Sequence, residues 1–326
     1  MLWHNLFDKF AKVSTMPKKS PKNKTINTTL EEGQAFFART KRVYTPQKDI
    51  SQILDSTICG DIFTIAPLLP HKSVDLLIAD PPYNLTKSFN GNIFSKKNHS
   101  EYESYTRKWL EAIKPLLKDT ASVYVCCDWR SSLIIGNVLD EIFTLKNRIT
   151  WQREKGRGAA TNWKNGLEDI WFATCGEGYT FNLKSVKIRK KVIAPYKENG
   201  KPKDWVQSES GNYRDTCPSN FWGDITIPFW SMSENTAHPT QKPEKLLAKI
   251  VLASSNEGDI VLDPFAGSGS TSVVAKKLKR HFIGVEIEER YCAWIEQRLE
   301  NAKSNPKIQG YEDGVFWERN SGRDFR

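Results

Sequence analysis

Asp259-Ile260-Val261-Leu262-Asp263-Pro264-Phe265-Ala266-Gly267-Ser268-Gly269-Ser270-Thr271 decides the fold. A short apolar run ends in an acid, bends through two glycines and leads into helix-forming residues. This order predicts strand, tight turn and helix. Gly267 and Gly269 lack Cβ atoms, so the backbone there can turn sharply and approach a ligand closely. Two glycines rather than three separate this turn from the dinucleotide fingerprint, and no Gly-Lys-Ser or Gly-Lys-Thr follows to make a phosphate loop. The next strand, Phe282-Ile283-Gly284-Val285-Glu286, also ends in an acid. Glu286 lies 19 residues after Gly267, near the offset of about 20 at which such an acid grips ribose hydroxyls. Alone, Glu286 reads equally well as structural; with the glycine turn it predicts a nucleoside site.

Just upstream stands His238-Pro239-Thr240-Gln241-Lys242-Pro243-Glu244, leading into an amphipathic helix over 244–254. Proline suits a first helical turn, where its missing N–H is no loss. The helix start offers unpaired N–H groups and a positive dipole end, fitting the carboxylate of a methionine-type amino acid, and Lys242 can add a charge. The same segment also reads as an ordinary helix cap.

Far earlier, the apolar run Val74–Ala79 ends in Asp80-Pro81-Pro82-Tyr83. The run predicts a buried parallel strand whose carboxyl end is where α/β sheets bind ligands. The exocyclic amine of a nucleobase is a poor nucleophile because its lone pair is delocalised into the ring. Two acceptors that hold both N–H groups favour a tetrahedral nitrogen. Asp80 supplies a carboxylate, and the Pro81 carbonyl, directed by a Pro-Pro turn, supplies the second. Tyr83 offers a face for a planar base. Asp61, in Cys59-Gly60-Asp61-Ile62, is a further acidic candidate, either for the amino group of a cofactor adenine or as a helix cap.

Around these motifs strands and helices alternate. Strands are expected at 121–127, 148–151, 169–173, 260–262 and 281–287, and helices at 101–117, 133–143, 270–278 and 290–302. The alternation predicts an α/β sheet covered on both faces. Residues 84–100 read as a mobile polar loop, with Asn90-Gly91-Asn92 at its centre. The rhythm breaks over 176–236, where Lys184, Lys187, Arg189, Lys190 and Lys191 form a basic run. Residues 1–50 read as a basic, flexible extension around Lys18-Lys19-Ser20-Pro21-Lys22, with Met16 as a conceivable later start, and 306–326 as a loosely packed tail.

The chain has 326 residues, enough for one large domain carrying an insertion. Lys and Arg number 48 against 38 Asp and Glu, a net charge of +10 that suits a polyanion and equally serves solubility. The six cysteines form no C-x-x-C pair and have no clustered histidine, so reduced thiols and no metal are expected. No apolar stretch approaches the roughly 20 residues of a membrane span, and a cytoplasmic protein without a membrane partner is expected.

Together the motifs resemble those of the β group of DNA amino-methyltransferases, enzymes that use S-adenosylmethionine. The resemblance covers about residues 57–303 and rests on D-P-P-Y preceding F-x-G-x-G, with H-P-T-Q-K-P between them. It implies a Rossmann-like methyltransferase sheet, mostly parallel, with helices on both faces and a circularly permuted motif order. The implied organisation is a catalytic half at 51–154, a target-recognition region at 155–235 and a cofactor half at 236–305. Asp80, Pro81, Pro82 and Tyr83 would be catalytic. Asp263, Phe265, Ala266, Gly267, Ser268 and Gly269 would hold S-adenosylmethionine. Thr240, Gln241 and Lys242 would serve its amino-acid end, Glu286 its ribose and Asp61 its adenine. Asp at the first motif position favours adenine N6, because relatives acting on cytosine N4 more often carry Ser there. Double-stranded DNA is the implied substrate, with the target base flipped out. A companion restriction endonuclease and a homodimer are further implications. The competing readings are a cytosine-N4 enzyme, a protein-glutamine or RNA methyltransferase, and a catalytically silent DNA-binding protein of the same fold. The intact Asp80 and Tyr83 argue against silence.

Overall fold

The computed structural model describes residues 20–26, 28–89, 92–153, 160–192, 196–208 and 211–318. Met16, Lys18-Lys19, Asn90-Gly91, residues 155–159 of the expected recognition region and the tail beyond 318 lie outside the described residues.

Strands β1 (Ser56–Cys59), β2 (Val74–Ala79), β3 (Lys87–Phe89), β4 (Asn92–Phe94), β5 (Leu117–Cys127), β6 (Thr144–Gln152) and β7 (Leu167–Thr174) form the first part of the chain. Helices α1 (Leu30–Phe37), α2 (Ile62–Ile65), α3 (His99–Ile113) and α4 (Trp129–Ile142) are interspersed among them. Short strands follow: β8 (Ile188–Lys191), β9 (Lys197–Glu198), β10 (Lys201–Pro202), β11 (Val206–Ser208), β12 (Gly211–Thr216) and β13 (Phe221–Trp222). The alternation resumes with α5 (Glu244–Ser254), β14 (Ile260–Asp263), α6 (Ser270–Lys277), β15 (His281–Glu286) and α7 (Glu289–Ser304), and closes with β16 (Tyr311–Glu312) and β17 (Val315–Trp317).

The main sheet has eight strands in the order β1-β15-β14-β2-β5-β7-β6-β13. Only β7 runs against its neighbours; the other pairings are parallel. The late strand β14 therefore lies beside the early strand β2, with Val261 opposite Leu76 and Leu262 opposite Leu77. This insertion of a late strand next to an early one is the permuted Rossmann-like arrangement that the motif order implies.

The pleat of β2 explains the apolar run Leu76–Ala79 that follows Asp75. Leu76 and Ile78 enter the core on one face, with α5, α6 and α7. Leu77 and Ala79 enter the opposite core, with Trp109 and Ile113 of α3 and Ile135 of α4. Where the strand is buried on both faces it carries only apolar side chains, and its one acid, Asp75, is less buried and is paired with Lys118 and the Ile260 N–H. No helix among the described residues is long and apolar enough to cross a membrane.

Three boundary expectations need correction. First, residues 20–50 are not a loose extension. Thr29 and Glu32 form a capping box that starts α1, and α1 packs on α7. The backbone N–H groups of Lys24 and Ile26 donate to the carbonyls of Trp230 (2.7 Å) and Asn235 (2.8 Å), and Lys41 bridges to Ile58 of β1. Second, residues 306–318 are not loosely packed. The β16–β17 hairpin joins a five-stranded sheet, β11-β12-β8-β17-β16, in which Phe316 and Trp317 are buried. Third, β7 and β13 belong to the main sheet, so residues 155–235 do not lie wholly off it. The polar 84–100 segment also contains structure, the β3–β4 hairpin and the Asn98–Glu101 capping box that starts α3.

Candidate active site

Adjacent parallel strands bring three acids to one edge of the sheet. Asp80 follows β2, Asp263 ends β14 and Glu286 ends β15. A cavity of about 480 Å³ opens there and is lined by both principal motifs.

The glycine turn forms its floor. Gly267 and Gly269 have φ of +53° and +75°, a region that L side chains rarely adopt. A Cβ on Gly269 would stand 2.7 Å from Ile295 of α7, so this glycine allows close helix packing; it does not line the cavity. Gly267 does line it, and its N–H donates to Glu286 Oε2 at 2.7 Å while the Glu288 N–H donates to Oε1 at 2.8 Å. Burial pushes the Glu286 carboxyl up to about 7 although both backbone bonds favour its charge. Burial likewise raises Asp263 to about 7, against hydrogen bonds from Thr271 and the Phe265 N–H. The Phe265 ring meets Trp109 edge-on, with centroids 5.4 Å apart. Beneath the turn, the buried guanidinium of Arg298 donates to the Ser268 carbonyl (2.8 Å), Ser270 Oγ (2.9 Å) and Glu244 Oε1 (3.0 Å).

The D-P-P-Y turn forms the opposite wall. The Tyr102 hydroxyl of α3 donates to the Pro82 carbonyl at 3.0 Å, and the Asn84 N–H donates to Ser131 Oγ at 3.2 Å. The Tyr83 hydroxyl donates to Asp80 Oδ1 at 2.8 Å, which turns this side chain toward the cavity that Gly267 also lines. Burial, and then the negative charges of Asp80 and Glu168, push the Tyr83 phenol well above its ordinary range. Asp80 Oδ2 accepts from Lys242 Nζ at 2.6 Å. Burial by itself would lower the Lys242 ammonium, but Asp80 and Glu168 outweigh it and raise its pKa.

Lys242 lines the cavity with Thr240 and Gln241, and its ammonium has a further partner that the sequence did not indicate. The motif places it at the amino-acid end of a cofactor, and its ammonium rests on the catalytic-motif carboxylate. At the α5 N-terminus one N–H already has an acceptor from this chain. The Glu244 N–H donates to Glu234 Oε2 at 2.8 Å. Gln241 lines the cavity but spends its amide on its own loop, accepting from Thr236 N–H and Oγ1 and donating to the Glu234 carbonyl. Thr240 lines the cavity too. Asp61 combines both of its readings: Oδ1 caps the short α2 through the Phe63 N–H, and the residue faces the cavity. Phe265, Ala266 and Ser268 line it as expected.

Sequence reasoning missed Glu168, Glu234 and Arg298 at this edge. Two of the three left a legible sign. Glu168 is an acid beside Asp169 at the head of a strand whose next four residues, Ile170–Ala173, are apolar, and Arg298 is a cation on the apolar stripe of α7, between Ile295 and Leu299. Such residues are buried only with partners, and both have them.

The edge fits a nucleoside carrying a charged tail. It combines a left-handed turn at Gly267, a buried acid at the end of β15 and an apolar wall at Phe265. The comparisons agree. The DNA methylase family, which takes in N6 and N4 enzymes, matches residues 74–297. The type II methyltransferase M.HpaI of Haemophilus parainfluenzae is 32% identical over 247 residues, covering 75% of this chain and 74% of that protein. The type II methyltransferase M.HinfI of Haemophilus influenzae is 30% identical over 284 residues, covering 80% and 72%. Among solved structures, the M1.HpyAVI–SAM complex has a TM-score of 0.51 at 26% identity, covering 74% of this chain and 98% of that one. The PvuII cytosine-N4-specific DNA methyltransferase has a TM-score of 0.55 at 16% identity, covering 82% and 95%, a likeness of fold alone.

Proposed function

The chain belongs to the DNA methylase family as a β-group amino-methyltransferase, and from that premise we propose that it methylates adenine N6 in double-stranded DNA as the modification enzyme of a restriction–modification system. The observation that carries this reading is the meeting of Asp80 and Tyr83 with Gly267 and Glu286 in one cavity. S-adenosylmethionine supplies a methyl group on a positive sulfur that is its own leaving group, so no strong base is needed beforehand.

In this reading Phe265, Ala266, Gly267 and Ser268 hold the nucleoside, Glu286 its ribose and Asp61 its adenine. Thr240 faces the amino-acid end. Asp80 accepts one N–H of the target amine and the Pro81 carbonyl the other, so that the nitrogen lone pair points toward the methyl donor. A hydrogen bond to a charged acceptor is worth about 1.5–3 kcal/mol, and stacking on an aromatic ring about 1–3 kcal/mol. Their sum is comparable to the few kcal/mol that extruding a base costs. Asp80 and Tyr83 together are thus matched to holding a flipped base. Adenine is favoured over cytosine because Asp, rather than Ser, opens the motif. The five-stranded sheet carrying β8 and β12 is the proposed reader of DNA sequence, with a companion endonuclease acting on the same site.

The test is purified protein with methyl-labelled S-adenosylmethionine and duplex DNA, followed by nucleoside analysis. Label in N6-methyladenine is expected. Label in N4-methylcytosine overturns the choice of base, and cofactor binding without transfer to DNA overturns the catalytic reading.

A further inference from the structure

The D-P-P-Y motif brings one carboxylate to the amine site, and the fold brings a second. Glu168 stands near the start of β7 and is only 5% exposed. Its Oε1 accepts from Arg153 Nη1 at 2.5 Å. Its Oε2 lies 3.3 Å from the Tyr83 hydroxyl and 3.4 Å from Lys242 Nζ. Lys242 and Arg153 thus offset Asp80 and Glu168 in one neutral group of four charges.

Both oxygens of Asp80 are engaged, Oδ1 by Tyr83 and Oδ2 by Lys242. Each oxygen keeps a second lone pair, so a target amine can join these donors, but it then competes with a full ammonium charge for the same carboxylate. Lys242 is the donor whose charge most weakens Asp80 as an acceptor for the amine; it also donates to the Tyr83 hydroxyl at 3.0 Å, and its side chain is 8% exposed, so it cannot simply be released into water. A buried ammonium parted from one carboxylate costs several kcal/mol unless another receives it. Glu168 is within 3.4 Å and already oriented by Arg153.

We propose that Glu168 is a positioning residue that takes over the Lys242 ammonium when the target amine claims Asp80. The hand-off frees an acceptor oxygen without stranding a buried cation. It rests on the reading of Asp80 as the amine acceptor. Glu168 acts through Lys242, so removing Lys242 should make Glu168 irrelevant.

The experiment compares wild type, Glu168→Gln, Glu168→Asp, Lys242→Met, the Glu168→Gln/Lys242→Met double variant and Asp80→Ala. Single-turnover transfer to duplex DNA is measured at saturating S-adenosylmethionine, and cofactor affinity by calorimetry. Glu168→Gln is expected to slow transfer about tenfold or more while leaving the cofactor Kd within about twofold. Glu168→Asp, which keeps the charge, recovers part of the rate. In the Lys242→Met background Glu168→Gln has no further effect. A wild-type rate in Glu168→Gln, multiplying losses in the double variant, or lost cofactor binding in both Glu168 variants overturns the proposal. Asp80→Ala with full activity removes the parent reading and the proposal with it, an outcome distinct from any of these.

Discussion

The carboxyl edge of the main sheet and the five-stranded sheet both carry many charges, but they use them differently. At the edge, Asp80, Glu168, Lys242 and Arg153 pair at 2.5–3.4 Å, and Lys242 and Glu168 are almost wholly withdrawn from water. Each charge there exists because another opposes it, and deleting one exposes its partner to the full cost of burial. In the five-stranded sheet, Arg189 meets Asp215 at 2.7 Å and Lys190 meets Glu318 at 3.6 Å, both at the surface. Water and salt screen such pairs, whose contribution is about 0–1 kcal/mol. The comparison teaches that a count of charges says little. The basic run of β8 that stands out in the sequence is partly neutralised by its own neighbours, whereas the charges that bear on chemistry are scattered through the chain.

The sharpest way to break the contrast is Asp80→Ala. Transfer to duplex DNA is expected to fall on the order of 10³-fold, as when a preorganised hydrogen bond to the reacting group is removed. Cofactor affinity should change little, and a rate assay beside calorimetry checks both. Glu286→Gln comes next. Its carboxylate bridges the Gly267 and Glu288 N–H groups at 2.7 and 2.8 Å, so cofactor affinity should drop about tenfold to hundredfold, as when a charged hydrogen-bond acceptor is removed. The rate at saturating cofactor should largely survive.

Charge reversal at the exposed Lys184 and Lys191 should act only on DNA affinity. Each phosphate left without its lysine should lower the slope of log affinity against log salt by about one, which a titration across salt concentrations measures. An unchanged slope would make these lysines a solvated face.

The smallest effect concerns pH. Glu286, Asp263 and Glu234 are each raised to about 7, chiefly by burial. Unfolded carboxyls titrate near pH ~4, so between about 4 and 7 the folded chain holds more protons than the unfolded one. Stability of the cofactor-free protein should therefore fall as pH rises through that window. Asp215 and Asp224 are held low by Arg189 and by Lys249 with Lys245, and give the opposite slope only at more acid pH. Thermal unfolding from pH 5 to 7 tests the sign, and Glu286→Gln should flatten it.

Much of this is legible along the chain, and the reason differs from element to element. β2, β14 and the glycine turn announce themselves because their requirements are local. A doubly buried stretch such as Leu76–Ala79 favours apolar residues, and a left-handed turn packed as closely as Gly269 on Ile295 favours glycine. Asp80 and Asp263 stand at the points where those runs stop. Lys242 stands out in the sequence but without its partner Asp80, because its position beside a helix start says nothing of what lies 162 residues away along the chain. Glu234 goes unread for a similar reason: it caps α5 from ten residues upstream, across an irregular loop. The segment at 20–50 reads as polar leader until its backbone is seen bonded to Trp230 and Asn235. The β16–β17 hairpin is too short to register as strands until β8 provides a partner.

The order of residues by itself determined the α/β class, the two motifs, their permuted succession and the kind of chemistry that an acid, two prolines and a tyrosine permit. The α/β class and the motif turns follow from periodicity and backbone stereochemistry acting over a few residues; the permuted order is what the resemblance implies. Only the tertiary structure decided which charges face one another: Lys242 with Asp80, Glu168 with both Arg153 and Lys242, and Arg298 beneath the glycine turn. The physical reason is that burial strengthens electrostatic attraction and makes an unpaired charge prohibitive. The partner is therefore chosen by the packing of distant strands, not by proximity along the chain.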